Sequence, residues 1–554
     1  MRIIIALAFV TGLLNTGNTQ LATLVKEINP SGSAFADGKT FVSNGTMYFL
    51  AKDGVNGSEL WRTDGTGPGT WLLKDIAPGA DGLSAVDFAQ LGDQIIMGVA
   101  GLSDNYAIWK TDGTTQGTVL IKTLYNDFPG WKDRLVTYNG FVYFTADDGD
   151  TGPEVWRTDG TEANTTVLKN IGSAVSHIPE RITVWNDKLY FYHKESQHGY
   201  ELWSSDGTPE GTLIVKDIYP GSSDSKPDPT RFDLVPTDTG LFFTANNGTN
   251  GEELWITDGT ESGTIMVKDI NPTSTTPGAE LNGGFPEYQN FAFLNGKLFF
   301  RGNDNVNGKE LWSTDGTTAG TSMVKNAVQG SAGLNIFQMA VLNGKIFFNA
   351  SNTNDGSEMW ISDGTAAGTK LIKDISFGFG NGVAAFSDVV SYSNQVWFSG
   401  NNPFNGEELW KTDGTEVGTL MADDISVGFP GSFPQNLTVL GDKLLFFAIR
   451  DGIEDYELFS VFVPFVKVID LNDDVKLKVS PNPVTTFFSL KTQTPIPDGC
   501  KVTAFDMTGR LVQTWEWKQL QQQFDCTALQ TGSYYLHISD KDYQIYAATI
   551  LIKQ

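Results

Sequence analysis

Short apolar runs, separated by residues that favour turns, recur along most of this chain. The segment 336–375 is representative, because it contains four such runs, at 337–342, 345–350, 357–361 and 369–375. Asn343-Gly344, between the first two runs, suits a two-residue hairpin because both residues readily adopt positive φ angles. No ten-residue segment shows the sustained 3.6-residue spacing of an amphipathic helix. The pattern therefore predicts units of four short antiparallel strands.

The motif Glu-Leu-Trp-x-Thr-Asp-Gly-Thr-x-x-Gly-Thr, first seen at 59–70, marks eight of these units. Successive motif tryptophans are 47 to 57 residues apart, and four-stranded units of this length are typical of β-propeller blades. Adjacent Leu and Trp residues of a strand point to opposite faces, so neighbouring blades should cover both. The motif residues with a predicted structural role are Trp61, Asp64, Trp109, Asp112, Trp156, Asp159, Trp203, Asp206, Trp255, Asp258, Trp312, Asp315, Trp360, Asp363, Trp410 and Asp413.

Each Asp-Gly-Thr segment is predicted to form a turn in which the Asp carboxylate accepts hydrogen bonds from backbone N–H groups two or three residues later. The Gly after the Asp should take the left-handed conformation, which costs glycine nothing. The second Gly, such as Gly69, is predicted to do the same where the turn ends. Asn164 stands at this place in the third copy, and Asn also tolerates that conformation.

The two ends of the repeat array complement each other. The segment 24–30 resembles the fourth strand of a unit, as at 214–220, but no first three strands precede it. Near the other end, 443–447 and 456–459 resemble second and third strands, with Phe459 in the Trp position. A blade built from both chain ends would remove free sheet edges and give nine blades. Eight blades are the alternative, since 465–470 competes for the place of the N-terminal strand.

The net charge and the apolar segments of the chain indicate which partners and which cellular location to expect. The 554 residues carry a net charge of -27, which argues against a nucleic-acid partner because such binding needs clustered Lys and Arg. Residue Arg2 and the apolar run 3–10 predict a signal peptide at 1–19, and this run is too short to span a membrane. No later segment is apolar enough for a transmembrane helix. A secreted monomer is expected.

The period stops after Ile469. We assign 20–464 to the propeller, 465–478 to a linker, and 479–554 to a small strand-rich domain that suits a β-sandwich. Cys500 and Cys526, the two cysteines of the chain, both fall in this domain and form a possible disulfide in an exported protein.

The C-terminal domain resembles the sorting domain of the type IX secretion system of Bacteroidota. The resemblance is carried by Ser480-Pro-Asn-Pro-Val484, Asp506-Met-Thr-Gly-Arg510, Gly532-Ser-Tyr-Tyr535 and the terminal Lys553. It implies export across the outer membrane by that secretion machinery, usually followed by removal of the domain and by attachment to the cell surface or release. The eight motif copies resemble the ELWxxDGT-repeat family, over about residues 21–463, and this resemblance brings no catalytic residues with it.

Oxygen-rich loops just before the Glu-Leu-Trp segments suggest calcium as a cofactor. Carboxylate and amide oxygens at close spacing can bind Ca²⁺, although no loop follows the EF-hand pattern. The alternative is turn chemistry, with the Glu bonded to neighbouring backbone. The candidate metal ligands are Asp53, Asn56, Glu59, Asp304, Asn307 and Glu310.

Ligand binding is expected in the connections between units, because loops on a rigid scaffold usually carry binding residues. The connections after Ile218 and Ile270 are the longest, and aromatic residues such as Phe377 and Phe429 occupy others. Such rings can stack on sugars, or anchor a loop to the core. The candidate ligand-binding residues are Trp131, Tyr219, Asp224, Arg231, Phe285, Tyr288, Phe379 and Phe433.

These observations predict a secreted or cell-surface propeller that binds a glycan or protein, for adhesion or recognition, through loops on one face. One alternative is a polysaccharide lyase or glycoside hydrolase with its site at the mouth of the central channel. Another is a purely structural surface component. No catalytic residue is predicted, because the chain has neither a Gly-x-Ser-x-Gly elbow nor a P-loop.

Overall fold

The computed structural model divides into two compact units, residues 1–461 and 462–554, each of which is considered by itself. Within its described residues, no helix has the length and apolar character needed to cross a membrane. The predicted signal peptide and nearly all of the predicted linker lie outside the described residues. The structure describes 21–36, 38–79, 82–102, 105–124, 135–172, 178–225, 234–273, 276–281, 290–378, 380–384, 387–450, 455–463, 478–480, 484–491, 500–506, 511–517, 523–529, 532–539 and 545–553.

The first unit is a β-propeller of nine antiparallel sheets, numbered here as blades 1 to 9 in ring order. Blades 1 to 4 contain β2 (Phe41–Ser43), β3 (Thr46–Lys52), β4 (Ser58–Thr63) and β5 (Trp71–Lys74); β6 (Ala85–Leu91), β7 (Gln94–Leu102), β8 (Asn105–Thr111) and β9 (Val119–Leu124); β10 (Val136–Tyr138), β11 (Phe141–Ala146), β12 (Glu154–Thr158) and β13 (Thr166–Val167); β14 (Glu180–Trp185), β15 (Lys188–Glu195), β16 (Gly199–Ser205) and β17 (Leu213–Ile214).

Blades 5 to 8 follow the same plan, except that blade 6 has an additional short strand, β22, paired with its second strand. They contain β18 (Val235–Pro236), β19 (Leu241–Asn246), β20 (Glu252–Thr257) and β21 (Ile265–Lys268); β22 (Ala279–Glu280), β23 (Phe291–Leu294), β24 (Lys297–Asn303), β25 (Lys309–Thr314) and β26 (Ser322–Lys325); β27 (Asn335–Leu342), β28 (Lys345–Asn352), β29 (Gly356–Ser362) and β30 (Lys370–Lys373); β31 (Val389–Tyr392), β32 (Gln395–Asn402), β33 (Gly406–Thr412) and β34 (Leu420–Asp423).

Blade 9 is built from both ends of the repeat array, as the sequence predicts. Its first three strands are β35 (Gln435–Leu440), β36 (Lys443–Ile449) and β37 (Tyr456–Phe462), and its fourth is β1 (Ala22–Lys26). β1 pairs with β37 so that Leu24 lies opposite Phe459. The nine-blade prediction is confirmed and the eight-blade alternative is wrong, because a strand from the N-terminus completes the last sheet. The competing segment 465–470 lies outside the described residues.

The Leu-Trp pair packs between blades as predicted. Leu60 belongs to the apolar cluster shared by blades 1 and 2, whereas Trp61 belongs to the cluster shared by blades 1 and 9. Within a blade the Trp also faces an aromatic ring of the second strand, as where Phe348 and Trp360 stack at 6.3 Å between ring centroids. Each blade therefore buries one residue of the pair on each of its faces, which explains why both are apolar.

A lysine in the fourth strand, or just after it, connects neighbouring blades in a way that was not predicted from sequence. Its ammonium group donates a hydrogen bond to the carbonyl oxygen of the last Thr of the next blade's motif, at 2.5 to 3.0 Å. Some of these ammonium groups also lie over the motif Trp of that blade, as for Lys122 and Trp156 at 5.1 Å. The lysines are Lys26, Lys122, Lys169, Lys216, Lys268, Lys325 and Lys373.

The Asp-Gly-Thr turn is confirmed, with one correction. Asp64 Oδ1 accepts hydrogen bonds from the N–H of Thr66 at 2.9 Å and from its hydroxyl at 2.6 Å, and Gly65 has a φ of 81°. The prediction for the second glycine is wrong, since Gly69 does not take the left-handed conformation. Glycine is needed there because a Cβ would collide with the Asp64 carboxylate. In the third copy, Asn164 instead donates a side-chain hydrogen bond to Asp159 Oδ2 at 2.6 Å.

The second unit consists of two antiparallel sheets whose buried side chains form one apolar cluster. Cys500 and Cys526 are both buried in this cluster, and the disulfide between them stays a prediction from sequence. The Cys526 thiol faces the carbonyl oxygen of Thr486 at 3.2 Å. The strands are β38 (Lys478–Ser480), β39 (Phe487–Lys491) and β42 (Gln523–Asp525) in one sheet, and β40 (Lys501–Asp506), β41 (Leu511–Glu516), β43 (Gly532–Ser539) and β44 (Ile545–Lys553) in the other.

Candidate functional site

The alternation of strand direction divides the propeller loops between two faces. The turns between first and second strands and the Asp-Gly-Thr turns lie on one face. The loops between second and third strands, and the connections that lead to the next blade, lie on the other, which we call the connection face. The described residues among those predicted to bind ligands or calcium belong to the connection face.

Three of the eight candidate ligand-binding residues are described, and two of them anchor a connection. Asp224 accepts a hydrogen bond from the N–H of Tyr200 at 2.9 Å and pairs with the Lys194 ammonium group at 2.9 Å. The half-buried ring of Tyr219 packs against Gly248, where a Cβ would collide with it. The other five candidates, Trp131, Arg231, Phe285, Tyr288 and Phe379, lie outside the described residues.

Phe433, the third described candidate, lies far along the ring from Tyr219 and Asp224, in the connection from blade 8 to blade 9. Its φ of 48° is in the left-handed region, and its N–H donates to the carbonyl oxygen of Glu407 at 3.0 Å. Its side chain is half-buried. The structure therefore does not bring the three described candidates together at one site.

Four apolar side chains on blades 7 and 8 of the connection face are exposed instead. Phe377, Phe404, Val427 and Phe429, called here the exposed apolar set, have 76 to 80% of their surface accessible. Phe404 and Phe429 lie on adjoining loops, which are joined by the hydrogen bond from the N–H of Glu407 to the carbonyl oxygen of Pro430 at 3.2 Å. Phe404 was not among the residues predicted from sequence. The equivalent loop position holds Val55 in blade 1 and Val306 in blade 6, so a comparison of the units would have found an apolar residue there.

The candidate calcium ligands make hydrogen bonds within their own blades. Asp53 Oδ1 accepts from the N–H groups of Val55 and Asn56, each at 2.8 Å, and Asp304 holds the turn containing Asn307 in the same way. In the part of the chain that the structure describes, no group of three or more His, Cys, Asp or Glu residues is arranged to hold a metal ion. Calcium at these six residues remains a prediction.

The motif glutamates anchor the connections. Glu59 accepts hydrogen bonds from the N–H groups of Ile76 and Ala77 at 2.7 and 3.1 Å. Glu310 similarly accepts from the N–H of Val328 at 2.9 Å. Both glutamates are fully buried, so these bonds supply partners to carboxylates that water cannot reach. This geometry corresponds to the alternative that the sequence left open, in which the Glu bonds to backbone.

Blade 3 differs from the others in the partner of its glutamate. Glu154 Oε2 lies 2.8 Å from Nε2 of His193, which belongs to the second strand of blade 4, and both side chains are fully buried. The other imidazole nitrogen faces the carbonyl oxygen of Lys194 at 3.0 Å. Most blades have Ala or Gly where His193 stands, including Ala245 and Gly302. An imidazole thus occupies a position that most other blades fill with Ala or Gly.

The buried glutamates give a prediction about pH. Burial raises the pKa of Glu253 and Glu408 from 4.5 to about 7, outweighing the N–H donors that lower it. The folded protein therefore holds these protons where the unfolded chain has lost them. Their stabilising contribution is complete below pH 4.5 and is lost as the pH rises through about 7, at about 3 kcal/mol per carboxyl. In EGTA, we expect the melting temperature to fall between pH 5 and pH 8.

The control is the double variant Glu253→Gln and Glu408→Gln, which cannot titrate at these positions and should show a shallower fall. Differential scanning fluorimetry across the same buffers measures both proteins. A melting temperature that stays constant or rises from pH 5 to pH 8 would contradict the expectation.

The inner strands of several blades line an open cavity of about 420 Å³. Residues of blades 8, 9, 1, 2 and 3 line it, including Lys39, Asp87, Asp388 and Asn436. Lys39 Nζ pairs with Asp87 Oδ2 at 3.1 Å, and Asp388 Oδ2 accepts a hydrogen bond from the N–H of Leu437 at 3.0 Å. Two carboxylates and one ammonium group therefore meet at the channel, where the sequence analysis placed the site of its enzyme alternative without naming residues.

Comparison with known proteins identifies the C-terminal part of the chain. Residues 478–553 match the family described as secretion system C-terminal sorting domain. This confirms the sorting domain predicted from sequence, and it indicates export across the outer membrane to the cell surface or the extracellular space. No curated protein matches the sequence.

Solved structures resemble the propeller only distantly. Puromycin hydrolase is 12% identical with a TM-score of 0.33, and the alignment covers 69% of this chain and 60% of that one. PorZ, a surface component of the type IX secretion system of Porphyromonas gingivalis, is 13% identical with a TM-score of 0.23, covering 93% and 81%. The β-propeller domain of the Trilobed protease from Pyrococcus furiosus is 11% identical with a TM-score of 0.31, covering 60% and 96%. At these scores the similarity carries no functional argument.

Proposed function

We propose that this protein is an exported recognition propeller that binds a glycan, or alternatively a protein, through its connection face. The exposed apolar set carries this proposal. Phe377, Phe404 and Phe429 present aromatic rings to solvent on neighbouring blades. A large aromatic side chain buries 150–250 Å² or so when covered, so exposed rings on these loops favour a ligand with apolar surface.

The net charge of the chain limits the class of ligand that is favoured. A net charge of -27 disfavours polyanionic glycans, because like charges repel at long range in low salt. The C–H faces of a neutral polysaccharide offer the apolar surface that phenylalanine rings can cover without introducing charge. A neutral polysaccharide is therefore the ligand class that these observations favour, with a protein partner as the alternative outcome.

The binding test compares two double variants of the full chain on an array of neutral and charged glycans. Phe404→Ser with Phe429→Ser should weaken binding by about tenfold or more, since burying two aromatic rings is worth more than about 1.4 kcal/mol. Val55→Ser with Val306→Ser is the matched control, because these side chains are 78 and 73% exposed on the same kind of loop in blades 1 and 6. Affinity should be unchanged in this control.

Equal binding by the wild type and the Phe404/Phe429 variant would show that these two rings are not part of the binding site. Binding to no glycan, together with saturable binding to an extracellular protein that the same variant loses, would favour the protein partner. Release of soluble oligosaccharides from a polysaccharide, abolished by Asp388→Asn, would instead favour an enzyme with its site at the channel cavity. If neither glycan or protein binding nor turnover is detected, the result would favour a purely structural surface component.

A further inference from the structure

The channel cavity lies at the connection-face end of the first strands. Its lining residues precede or begin those strands, as Lys39 and Thr40 precede β2 and Asp388 precedes β31. First and fourth strands form opposite edges of these sheets, and first-strand segments of five blades meet at the cavity. The first strand is therefore the inner edge of a blade, and each connection runs from the outer edge of one blade to the channel side of the next.

Two connections that carry exposed aromatic rings lead to this cavity. The connection from blade 7 to blade 8 carries Phe377 and reaches Asp388 directly before β31. The connection from blade 8 to blade 9 carries Phe429 and leads to Asn436 in β35. Residues 429–436 span at most about 25 Å, at roughly 3.3–3.6 Å per residue. A chain-like ligand that covers the rings therefore needs only a short extension to reach the cavity.

Hydrogen bonds hold the second of these connections in place on its way to the cavity. The N–H groups of Ser432 and Phe433 donate to the carbonyl oxygen of Glu407 at 2.8 and 3.0 Å. At the inner end, Asn436 Nδ2 donates to the carbonyl oxygen of Gly38, in front of blade 1, at 3.2 Å. A connection that is already held in this way lowers the ordering cost of binding a ligand along it.

The polar groups of the cavity suit hydroxyl groups. Lys39 Nζ pairs with Asp87 Oδ2 at 3.1 Å, yet these side chains remain 30 and 20% exposed, so a ligand in the cavity can reach both. An ammonium group has three donors, and the bond to Asp87 uses one. Asn436 Oδ1 accepts no hydrogen bond from any described residue. A sugar hydroxyl both donates and accepts, so it matches this combination of donor and acceptor.

These polar groups come from one strand position that varies from blade to blade. The register places Asp388, Asn436, Lys39 and Asp87 at the same first-strand position of blades 8, 9, 1 and 2. The motif residues are nearly identical in all eight copies, whereas this position changes from acid to amide to base to acid. Such variation gives the cavity different groups on different sides, which a site for one asymmetric ligand requires.

We propose that the cavity holds the terminal sugar residue of a neutral polysaccharide, whose preceding residues lie along the two connections and over the rings of Phe377 and Phe429. A chain that arrives along blades 7 and 8 meets the opposite wall of the cavity, formed by blades 1 to 3, and ends there. The inference rests on the proposed function and adds that the site recognises a chain end.

The test measures binding of cello-, xylo- and manno-oligosaccharides of increasing length to the full chain by calorimetry. Each is used unmodified, with its reducing end converted to an alditol, and with its non-reducing end blocked by an ethylidene group. Altering one of the two ends should weaken binding to the wild type by about tenfold, as expected for losing a hydrogen bond to a charged group.

Two cavity variants should bind the unmodified sugars about tenfold more weakly and should no longer respond to the altered end. Lys39→Gln removes the ammonium group. Asn436→Gly removes the amide, and glycine accepts the φ of 55° at this position. Lys443→Gln is the matched control, because Lys443 donates to the carbonyl oxygen of Gly65 at the opposite face and makes the same change away from the cavity. Melting curves check that each variant is folded.

The outcomes separate this inference from the proposed function. Equal affinity for the three forms of each sugar, or binding of none of the three series, would overturn the inference. Loss of binding in the Phe404/Phe429 variant, with none in the two cavity variants, would overturn it and leave the proposed function standing. Loss in the cavity variants alone would support the cavity as a saccharide site and remove the exposed rings from it.

Discussion

Glu408→Ala is expected to lower the free energy of unfolding by about 3 kcal/mol or more. The fully buried carboxylate accepts hydrogen bonds from Ile425, Ser426 and Ser432, which begin and end the connection from blade 8 to blade 9. Alanine would leave three buried donors without an acceptor, and each unsatisfied group costs about 1–3 kcal/mol. The loss should appear as a lower urea midpoint in chemical unfolding.

Two variants distinguish the loss of this buried acceptor from the general effect of removing a carboxylate. Glu408→Gln keeps an oxygen acceptor and nearly the same volume, so it should cost clearly less than alanine. Asp413→Ala removes an exposed carboxylate whose partners are Thr415 N–H and hydroxyl, at 2.9 and 2.7 Å, and should cost about 1 kcal/mol. If Glu408→Ala and Asp413→Ala shift the midpoint equally, the anchoring role of Glu408 is wrong.

Removal of residues 21–29 is expected to open the ring, because these residues supply the fourth strand of blade 9. The N–H groups of Ile28 and Asn29 donate to Glu457 at 2.6 and 3.0 Å, and the Lys26 ammonium group donates to the carbonyl oxygen of Thr70 in blade 1 at 2.5 Å. The truncated protein would expose the edge of β37 and leave the Glu457 carboxylate without these donors. Exposed sheet edges pair with other chains.

We therefore expect the shortened protein to melt about 10 °C lower or more and to self-associate in size-exclusion chromatography. A protein that begins at residue 21 is the control, since it lacks the predicted signal peptide but keeps β1. Monomeric behaviour and unchanged melting of the shortened protein would show that β1 is dispensable for closure.

Both expected effects come from contacts that join distant parts of the chain. Glu408 reaches residues 17 to 24 positions later, and β1 pairs with a strand more than 400 residues away. Their consequences should be large because a ring of blades has no alternative partner for an element that is lost. By comparison, the exposed apolar set should affect ligand affinity while leaving stability nearly unchanged, since its side chains contact mainly solvent.

The sequence alone determined most of the architecture. Short apolar runs, the spacing of Trp61 and its seven counterparts, and the complementary chain ends predicted four-stranded blades, nine in number with one composite closing blade, or eight as the alternative. The pairing of β1 with β37 decided for nine. This was possible because strand patterns and turn residues are local properties, and because eight copies repeat the same signal. The motif of the C-terminal domain likewise predicted the sorting domain and the export that it indicates.

Only the tertiary structure decided how the polar residues are used. Glu59 bonds to backbone far along its loop, Gly69 is required by the nearby Asp64 carboxylate, and Phe404 is exposed, none of which follows from residue type. Lys39, Asp87 and Asp388 meet at one cavity only because the ring closes between blades 9 and 1. Spacing along a chain gives the register of each strand, whereas distances across a propeller depend on how all nine blades pack together.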